Sequence, residues 1–194
     1  MKKFLLAIVV VMMASSLSAQ DLQKNIYGVR AGLNISTMSL SGGGDDYNTS
    51  AKSKTSFHVG FDYQRLLMQS LPLYLETGLY YSNKGYKYGE DSGWLDDGEV
   101  QHNLLIPAMI GYHVQLPCNF ILQPAVGVYY SYSLATVGYM DAGSDFGLKI
   151  GVGATWKSIY LGVGYELGFL NLGYDDLKAK NRNFMVSVGY NFKL

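Results

Sequence analysis

Three histidines are the first side chains that could perform acid–base chemistry or bind a metal ion. His58 and His102 lie toward one end of the strand pattern described below, whereas His113 lies toward the other. A zinc site needs three or four ligands that converge on one point, so this distribution does not indicate one. The single Cys118 can form no internal disulfide and supplies no cysteine-based metal site. We therefore expect no metal and no other cofactor.

Two further groups of residues could in principle bind ligands. The run Gly42-Gly43-Gly44 is followed by acids rather than by Lys and Ser or Thr, so it does not match a phosphate-binding loop. Acidic residues in the same polar stretches could hold Ca²⁺ or contact lipopolysaccharide through divalent ions. They are Asp45, Asp46, Glu90, Asp91, Asp96 and Asp97. A solvated external surface is the simpler interpretation of these acids.

The elements that must position these residues read as β-strands, because successive side chains of a strand point to opposite faces. In the last stretch, Phe184–Leu194, one face is wholly apolar and the other is small or polar. The apolar face is Phe184, Val186, Val188, Tyr190 and Phe192. Seven earlier segments repeat this alternation, with apolar faces that begin at Tyr27, Phe57, Leu73, Leu104, Phe120, Leu148 and Ile159. Pro107 cannot donate to a ladder and predicts a local irregularity or bulge in the fourth strand.

The connections between these segments alternate between long and short. The long ones are residues 37–54, 83–99, 135–145 and 171–182, and the short ones lie near residues 68–70, 116–119 and 157–158. Apolar-face aromatics cluster at both strand ends, as two membrane interfaces require. Long loops on one side and short turns on the other are typical of outer-membrane barrels. The pattern predicts an all-β fold, an eight-stranded antiparallel up-and-down transmembrane β-barrel. A soluble lipocalin-like barrel has the same period with its apolar face turned inward.

Composition and the first residues agree with export to a membrane. Charged residues are 15% of the 194, against about 25% in soluble domains. Lys2 and Lys3, the apolar run from Phe4 to Met13 and the small residues that follow predict a signal peptide, residues 1–19, ahead of a barrel domain, residues 20–194. An uncleaved anchor would need about 20 apolar residues. Removing two lysines leaves a slightly negative chain, so nothing indicates nucleic acid.

The polar face should form a structural network inside the barrel. If Trp156 pairs with Ile159 across the Lys157-Ser158 turn, Lys149 lies opposite Glu166. By similar reasoning Arg30 should meet Asp62, with Glu76 near, because isolated buried charges are costly. Glycines would face one another between the sixth and seventh strands and leave room for Tyr74, Tyr80 or Tyr129. The interior of eight strands is just wide enough for side chains to fill, so we expect no constitutive pore.

The chain resembles the PorT-like outer-membrane β-barrel proteins of Gram-negative bacteria over nearly all of its mature length. The residues that carry the resemblance are Tyr27-Gly28-Val29-Arg30-Ala31-Gly32-Leu33-Asn34, the stretch from Leu75 to Gly85, Leu105-Ile106-Pro107 and Gly189-Tyr190-Asn191-Phe192. Where such proteins often carry an acid before the Ile/Leu-Pro pair, this chain has Leu105. The resemblance implies the barrel and the outer membrane and transfers no task.

The expected function is that of a small closed barrel, a non-enzyme that acts through its external loops in binding, adhesion or envelope structure. We expect a monomer in the bacterial outer membrane, in contact with lipid and lipopolysaccharide, with a protein or surface ligand at the loops. Two alternatives stay open. One is a membrane-embedded lipid-modifying enzyme, since lipid A deacylases use a His and a Ser on a barrel wall. The other is a soluble periplasmic ligand-binding barrel.

Overall fold

A computed structural model describes residues 23–41, 48–50, 52–68, 70–87, 100–137, 143–170 and 178–192. The strands are β1 (Asn25–Ser41), β2 (Asn48–Ser50), β3 (Lys52–Met68), β4 (Leu71–Lys87), β5 (Val100–Tyr112), β6 (Val114–Leu116), β7 (Phe120–Val137), β8 (Ser144–Trp156), β9 (Ile159–Gly168) and β10 (Lys178–Phe192). In these ranges no helix is long and apolar enough to cross a membrane. The predicted signal peptide, the Gly42–Gly44 run and the six loop acids lie outside the described residues.

The strands close on themselves in one antiparallel barrel. The order of neighbours is β1, β3, β4, β5, β7, β8, β9 and β10, and β10 pairs back with β1 from Tyr27–Phe192 to Ser41–Lys178. The short strand β6 continues β5 past His113 and pairs with β7, while β2 pairs with the end of β1. Counting β5 and β6 as one, eight strands form the wall. The predicted fold class is confirmed.

The apolar face of each strand points away from the lumen. Val186 is 45% exposed and Val188 52%, whereas the side chain of Lys149 is 13% exposed and that of Glu166 1%. The same division holds around the wall, where outward residues such as Leu33, Phe61, Leu79, Ile150 and Leu161 are exposed. A soluble barrel would place these side chains in its core. The wall is instead built to face lipid, which excludes the soluble alternative.

The strands extend beyond the predicted ones at the end that carries the long connections. β1 continues to Ser41 and β4 to Lys87, while β3 begins at Lys52 and β10 at Lys178. The predicted connections were therefore too long. Past the bilayer the outer face no longer needs to be apolar, so the alternation disappears from the sequence although the hydrogen-bonded ladder continues. Periodicity marks the part of a strand that lies in lipid rather than the whole strand.

Pro107 interrupts pairing, as predicted, but it creates no bulge. The β4–β5 ladder breaks between the Thr77–Ala108 and Tyr80–Leu105 pairs and resumes in the same register. The Thr77 hydroxyl donates a hydrogen bond of 2.8 Å to the Pro107 carbonyl oxygen at this point. The register shift of β5 lies elsewhere, between His102 and Asn103.

We expect the cost of an arginine on the outer wall to depend on its depth. Val188 is near the middle of the apolar stretch of β10, and Phe192 is at its end. Val188→Arg should lower the free energy of unfolding by about 2–4 kcal/mol, and Phe192→Arg by about 0–1 kcal/mol. Urea unfolding in lipid vesicles measures both. Equal costs at the two positions would show that this face does not lie in lipid.

Candidate functional site: the polar network of the lumen

The tight turn between β8 and β9 sets the first ion pair of the lumen. Lys157 adopts a positive φ of 59°, and Trp156 pairs with Ile159 across the turn. Counting back from there, Lys149 lies opposite Glu166, with 2.9 Å between Nζ and Oε1. This is the register that the sequence predicts. Gly147–Gly168, Gly151–Gly164 and Gly153–Gly162 also face one another as expected.

Glu166 is shared by a second lysine, which the sequence analysis missed. Lys84 Nζ lies 2.8 Å from Glu166 Oε2, and Asn183 Nδ2 donates to the same oxygen at 3.1 Å. The sequence predicts that Lys84 lies in a connection, because the apolar face of its strand ends near Tyr81. Lys84 could have been found by extending the inward–outward alternation of β4 past Tyr81. Tyr80, Ser82 and Lys84 are alternate residues of this strand, and all three are buried.

The second predicted pair joins β1 and β3. Arg30 Nη2 lies 3.2 Å from Asp62 Oδ2, and the pair meets diagonally because Arg30 itself is opposite Gly60. The Tyr80 hydroxyl donates to Asp62 Oδ1 at 2.8 Å. The Arg30 guanidinium also lies 3.8 Å from the centre of the Tyr160 ring. A buried cation is thus held by one carboxylate and one aromatic face.

Glu76, the fifth predicted residue, lies one step further toward the short turns. Gln64 is opposite it on β3 and donates from Nε2 to Glu76 Oε2 at 3.2 Å. Glu76 borders the same cavity as Arg30, Asp62 and Lys149. The structure therefore places all five predicted residues in the lumen, in two linked groups.

Tyrosine rings fill the space beside the glycines, though they are not quite the predicted ones. A Cβ atom at Gly147 would lie 2.7 Å from the Tyr129 ring, and one at Gly78 would lie 2.7 Å from the Tyr80 ring. Gly153 and Gly162 are covered by Tyr160, which was not predicted. Tyr74 lies elsewhere and stacks on His113 near the short turns, with 3.8 Å between the ring centres. Tyrosine rings thus occupy the space that the glycines leave free, and together they fill this part of the lumen.

A cavity of about 50 Å³ remains among the charged groups, next to Gly151 and Gly164. Its charged lining is Arg30, Asp62, Glu76 and Lys149. A cavity of this size holds a few water molecules. It is too small for a sugar, a nucleotide or an acyl chain.

His58 makes contacts that resemble a catalytic arrangement. Its Nδ1 lies 2.9 Å from Asn34 Oδ1, and its Nε2 lies 2.9 Å from Ser187 Oγ. Asn34 donates from Nδ2 to the Asn83 carbonyl oxygen at 2.7 Å, which assigns Oδ1 as the acceptor. His58 therefore donates from Nδ1 and accepts at Nε2 the hydrogen bond that Ser187 donates.

A glycine explains why this pair could not be read from spacing. His58 and Ser187 are both opposite Gly32, one on β3 and the other on β10. A Cβ atom at Gly32 would lie 2.7 Å from His58 Cε1. The ring reaches across the bare backbone of β1 to a residue 129 positions away. The order Asn–His–Ser is that of a nucleophile with its general base, and the His58 and Ser187 side chains line the cavity of the lumen.

The three histidines are held apart, as the sequence indicates. His102 contacts the hydroxyl of Tyr81 through its Nδ1, and His113 stacks on Tyr74 near the opposite end of the barrel. Across the described parts of the chain, no group of three or more His, Cys, Asp or Glu could hold a metal ion.

Comparison with known proteins gives the family. The family model for the outer membrane protein beta-barrel domain matches residues 6–192, and the chain belongs to that family. No curated protein matches the chain at a significant level. This is therefore a small β-barrel of the bacterial outer membrane.

Solved structures share the fold at low identity. The outer membrane protein OprG of Pseudomonas aeruginosa is 14% identical with a TM-score of 0.56, over 89% of this chain and 98% of OprG. Ail of Yersinia pestis, in complex with the heparin analogue sucrose octasulfate, is 15% identical with a TM-score of 0.46, over 88% of this chain and 100% of Ail. Neisserial surface protein A is 12% identical with a TM-score of 0.47, over 86% and 97%. The likeness to OprG shows the fold alone.

We expect Glu166 to be the most sensitive member of the network. Glu166→Gln would leave both Lys84 and Lys149 buried without a counter-charge and should lower the free energy of unfolding by about 3–5 kcal/mol. Lys149→Met should cost less, because Lys84 still neutralises Glu166 and the unbranched apolar Met side chain, one heavy atom shorter than Lys, fills most of the same space. Urea unfolding in vesicles compares the two variants. Equal losses would contradict the sharing of one carboxylate by two lysines.

Proposed function

We propose that this protein is a closed outer-membrane barrel that acts through its extracellular end in binding, adhesion or envelope structure, and that it forms no constitutive pore. The observation that carries the proposal is the lumen. Glu166 holds two lysines, Asp62 holds Arg30, and tyrosine rings cover the glycines between them. An ion that crossed would have to separate buried ion pairs, which costs several kcal/mol.

Three features support an external site of action. The four long connections lie at one end of the barrel, and long loops of bacterial outer-membrane barrels are extracellular. Loops that a rigid scaffold positions commonly carry binding function. The cavity found among the described residues of the lumen has a volume of about 50 Å³. Lipid, lipopolysaccharide and a protein or surface ligand at the loops are the proposed partners of a monomer.

Two finer assignments belong to the same proposal. The first is membership among PorT-like barrels, supported by the residues from Tyr27 to Asn34 and from Leu75 to Gly85. The second is export through a signal peptide cleaved after Ala19, supported by the basic, apolar and small-residue segments. The intact mass of protein purified from outer membranes tests the cleavage. A mass that includes residues 1–19 would contradict it.

Conductance tests whether the lumen is closed by its own side chains. We expect the wild type to give no single-channel steps in planar bilayers. A variant in which short Gly-Ser linkers replace residues 42–47 and 88–99 should also give no single-channel steps. The side chains that fill the lumen belong to the strands, so this replacement leaves them in place. Heat-modifiable migration on gels verifies folding of both. Reproducible steps from either folded protein would contradict the closed lumen.

The same loop-replaced barrel tests the external site. We expect cells that express the intact protein to adhere to one another more than cells without it, and cells that express the folded loop-replaced barrel to lose this gain. A matched control replaces the short turn Gln69-Ser70 with Gly-Ser at the opposite end of the barrel and should retain adherence. Unchanged adherence after loop replacement would argue against a role for these loops.

The enzyme alternative is favoured by one observation, the contact between Ser187 and His58. Its weakness is location, because both side chains face the lumen. We expect Ser187→Ala to leave the mass spectrum of cellular lipid A identical to that of cells carrying the wild type. A species present only with wild-type protein would instead establish a lipid-modifying activity.

A further inference from the structure

The outer wall of β10 changes character sharply at its extracellular end. Phe184 is the last residue of the apolar stretch, and the next two outward-facing residues are Arg182 and Lys180, both exposed. Residues two apart on a strand are separated by about 7 Å along it. The two cations therefore follow directly after the lipid-facing band, at the height of the headgroups in the outer leaflet.

The neighbouring strand adds hydroxyl groups beside these cations. Thr37 of β1 is opposite Arg182, and Ser39 is opposite Lys180, so all four residues share the outer face. Partners across a ladder lie about 5 Å apart. The two cations lie about 7 Å apart along β10, and each has a hydroxyl about 5 Å away across the ladder. This arrangement matches the needs of a phosphate group, whose oxygens accept hydrogen bonds from both kinds of donor.

Aromatic rings border the other side of the same patch. Leu167 of β9 is opposite Arg182, and Phe169 lies two residues further along the chain. The rings of Phe169 and Phe146 contact each other with 6.2 Å between centres, and both side chains are exposed. An amphiphile can thus lay its apolar part against these rings while its phosphate meets the cations.

The charge distribution of the wall favours an anion here. In the ranges that the structure describes, every carboxylate side chain faces the lumen, namely Asp62, Glu76, Asp145 and Glu166. The outer wall around Arg182 and Lys180 therefore carries positive charge that no described carboxylate on that wall offsets. Clusters of Lys and Arg beside a membrane span attract anionic lipid headgroups.

We propose that Lys180, Arg182, Thr37 and Ser39, with the Phe146–Phe169 pair, bind a phosphorylated glycolipid of lipid A type in the outer leaflet. The extracellular position of the patch favours this glycolipid over the phospholipids of the inner leaflet. The site deepens the proposed function and rests on it in one respect, that lipopolysaccharide is a partner. It lies on the wall, so it does not depend on whether the lumen conducts or the loops bind a ligand.

Native mass spectrometry of the purified full barrel tests the site with three probes: lipid A with two phosphates, the same lipid A after dephosphorylation, and phosphatidylglycerol. The wild type should retain bisphosphorylated lipid A most strongly. Lys180→Gln with Arg182→Gln should weaken that binding roughly 30-fold, from the contribution of each basic residue near a membrane surface. Lys180→Arg with Arg182→Lys keeps the charges and should bind like the wild type.

Arg65→Gln with Lys157→Gln is the matched control, because it removes two cations from the short-turn end of the barrel. It should leave lipid A binding unchanged, with folding of every variant verified by heat-modifiable migration. An equal loss in this control would overturn the site. So would equal retention of dephosphorylated lipid A, or retention of phosphatidylglycerol as strong as that of bisphosphorylated lipid A.

Discussion

The constraint on which this structure depends is that backbone N–H and C=O groups in hydrocarbon must find partners within the protein. An open sheet would leave two edges unpaired in the membrane, so β10 must return to β1. It does so over a long ladder, from Tyr27–Phe192 to Ser41–Lys178. Once the barrel must close, the two-residue period of each strand determines which side chains face lipid and which face the lumen. Every second residue must suit lipid, and the residues between must fill a narrow lumen.

The lumen meets this demand with charges that are paired and with rings that lie on glycines. The polar network also crosses the closing pair of strands. Ser36 of β1 donates to Asn183 Oδ1 of β10 at 3.1 Å, and Asn183 donates to Glu166 of β9. Glu166 in turn holds Lys84 of β4 and Lys149 of β8. One carboxylate thus links opposite sides of the wall. The side chains that fill the lumen therefore also stabilise the barrel.

The elements that sequence could predict are those fixed by local geometry. A two-residue turn sets the register of β8 and β9, so the pairing of Lys149 with Glu166 follows from counting. The orientation of the faces follows from apolar alternation together with the asymmetry of the connections. A long connection does not fix the register of the two strands that it joins, so their residue pairs cannot be found by counting. Contacts that span them, such as Lys84 with Glu166 and His58 with Ser187, depend on the stagger of the whole barrel.

The remaining misses have a common physical cause. Beyond the bilayer, lipid no longer selects apolar residues, so the sequence pattern predicts connections where the ends of β1, β3, β4 and β10 lie. Lys84 and the basic patch formed by Lys180 and Arg182 lie in these extensions. These three residues lie where the apolar alternation ends. Continuing the alternation of inward and outward residues past that point would have placed each of them on its correct face.

The central claim is that Val186 and Val188 face lipid while Met185 and Ser187 face a filled lumen. Nitroxide spin labels introduced singly at residues 185–188, in protein reconstituted in bilayers, test it through collision with oxygen, which concentrates in hydrocarbon. The account predicts high oxygen accessibility at 186 and 188 and low accessibility at 185 and 187. The opposite alternation, or equal accessibility at all four positions, would contradict it.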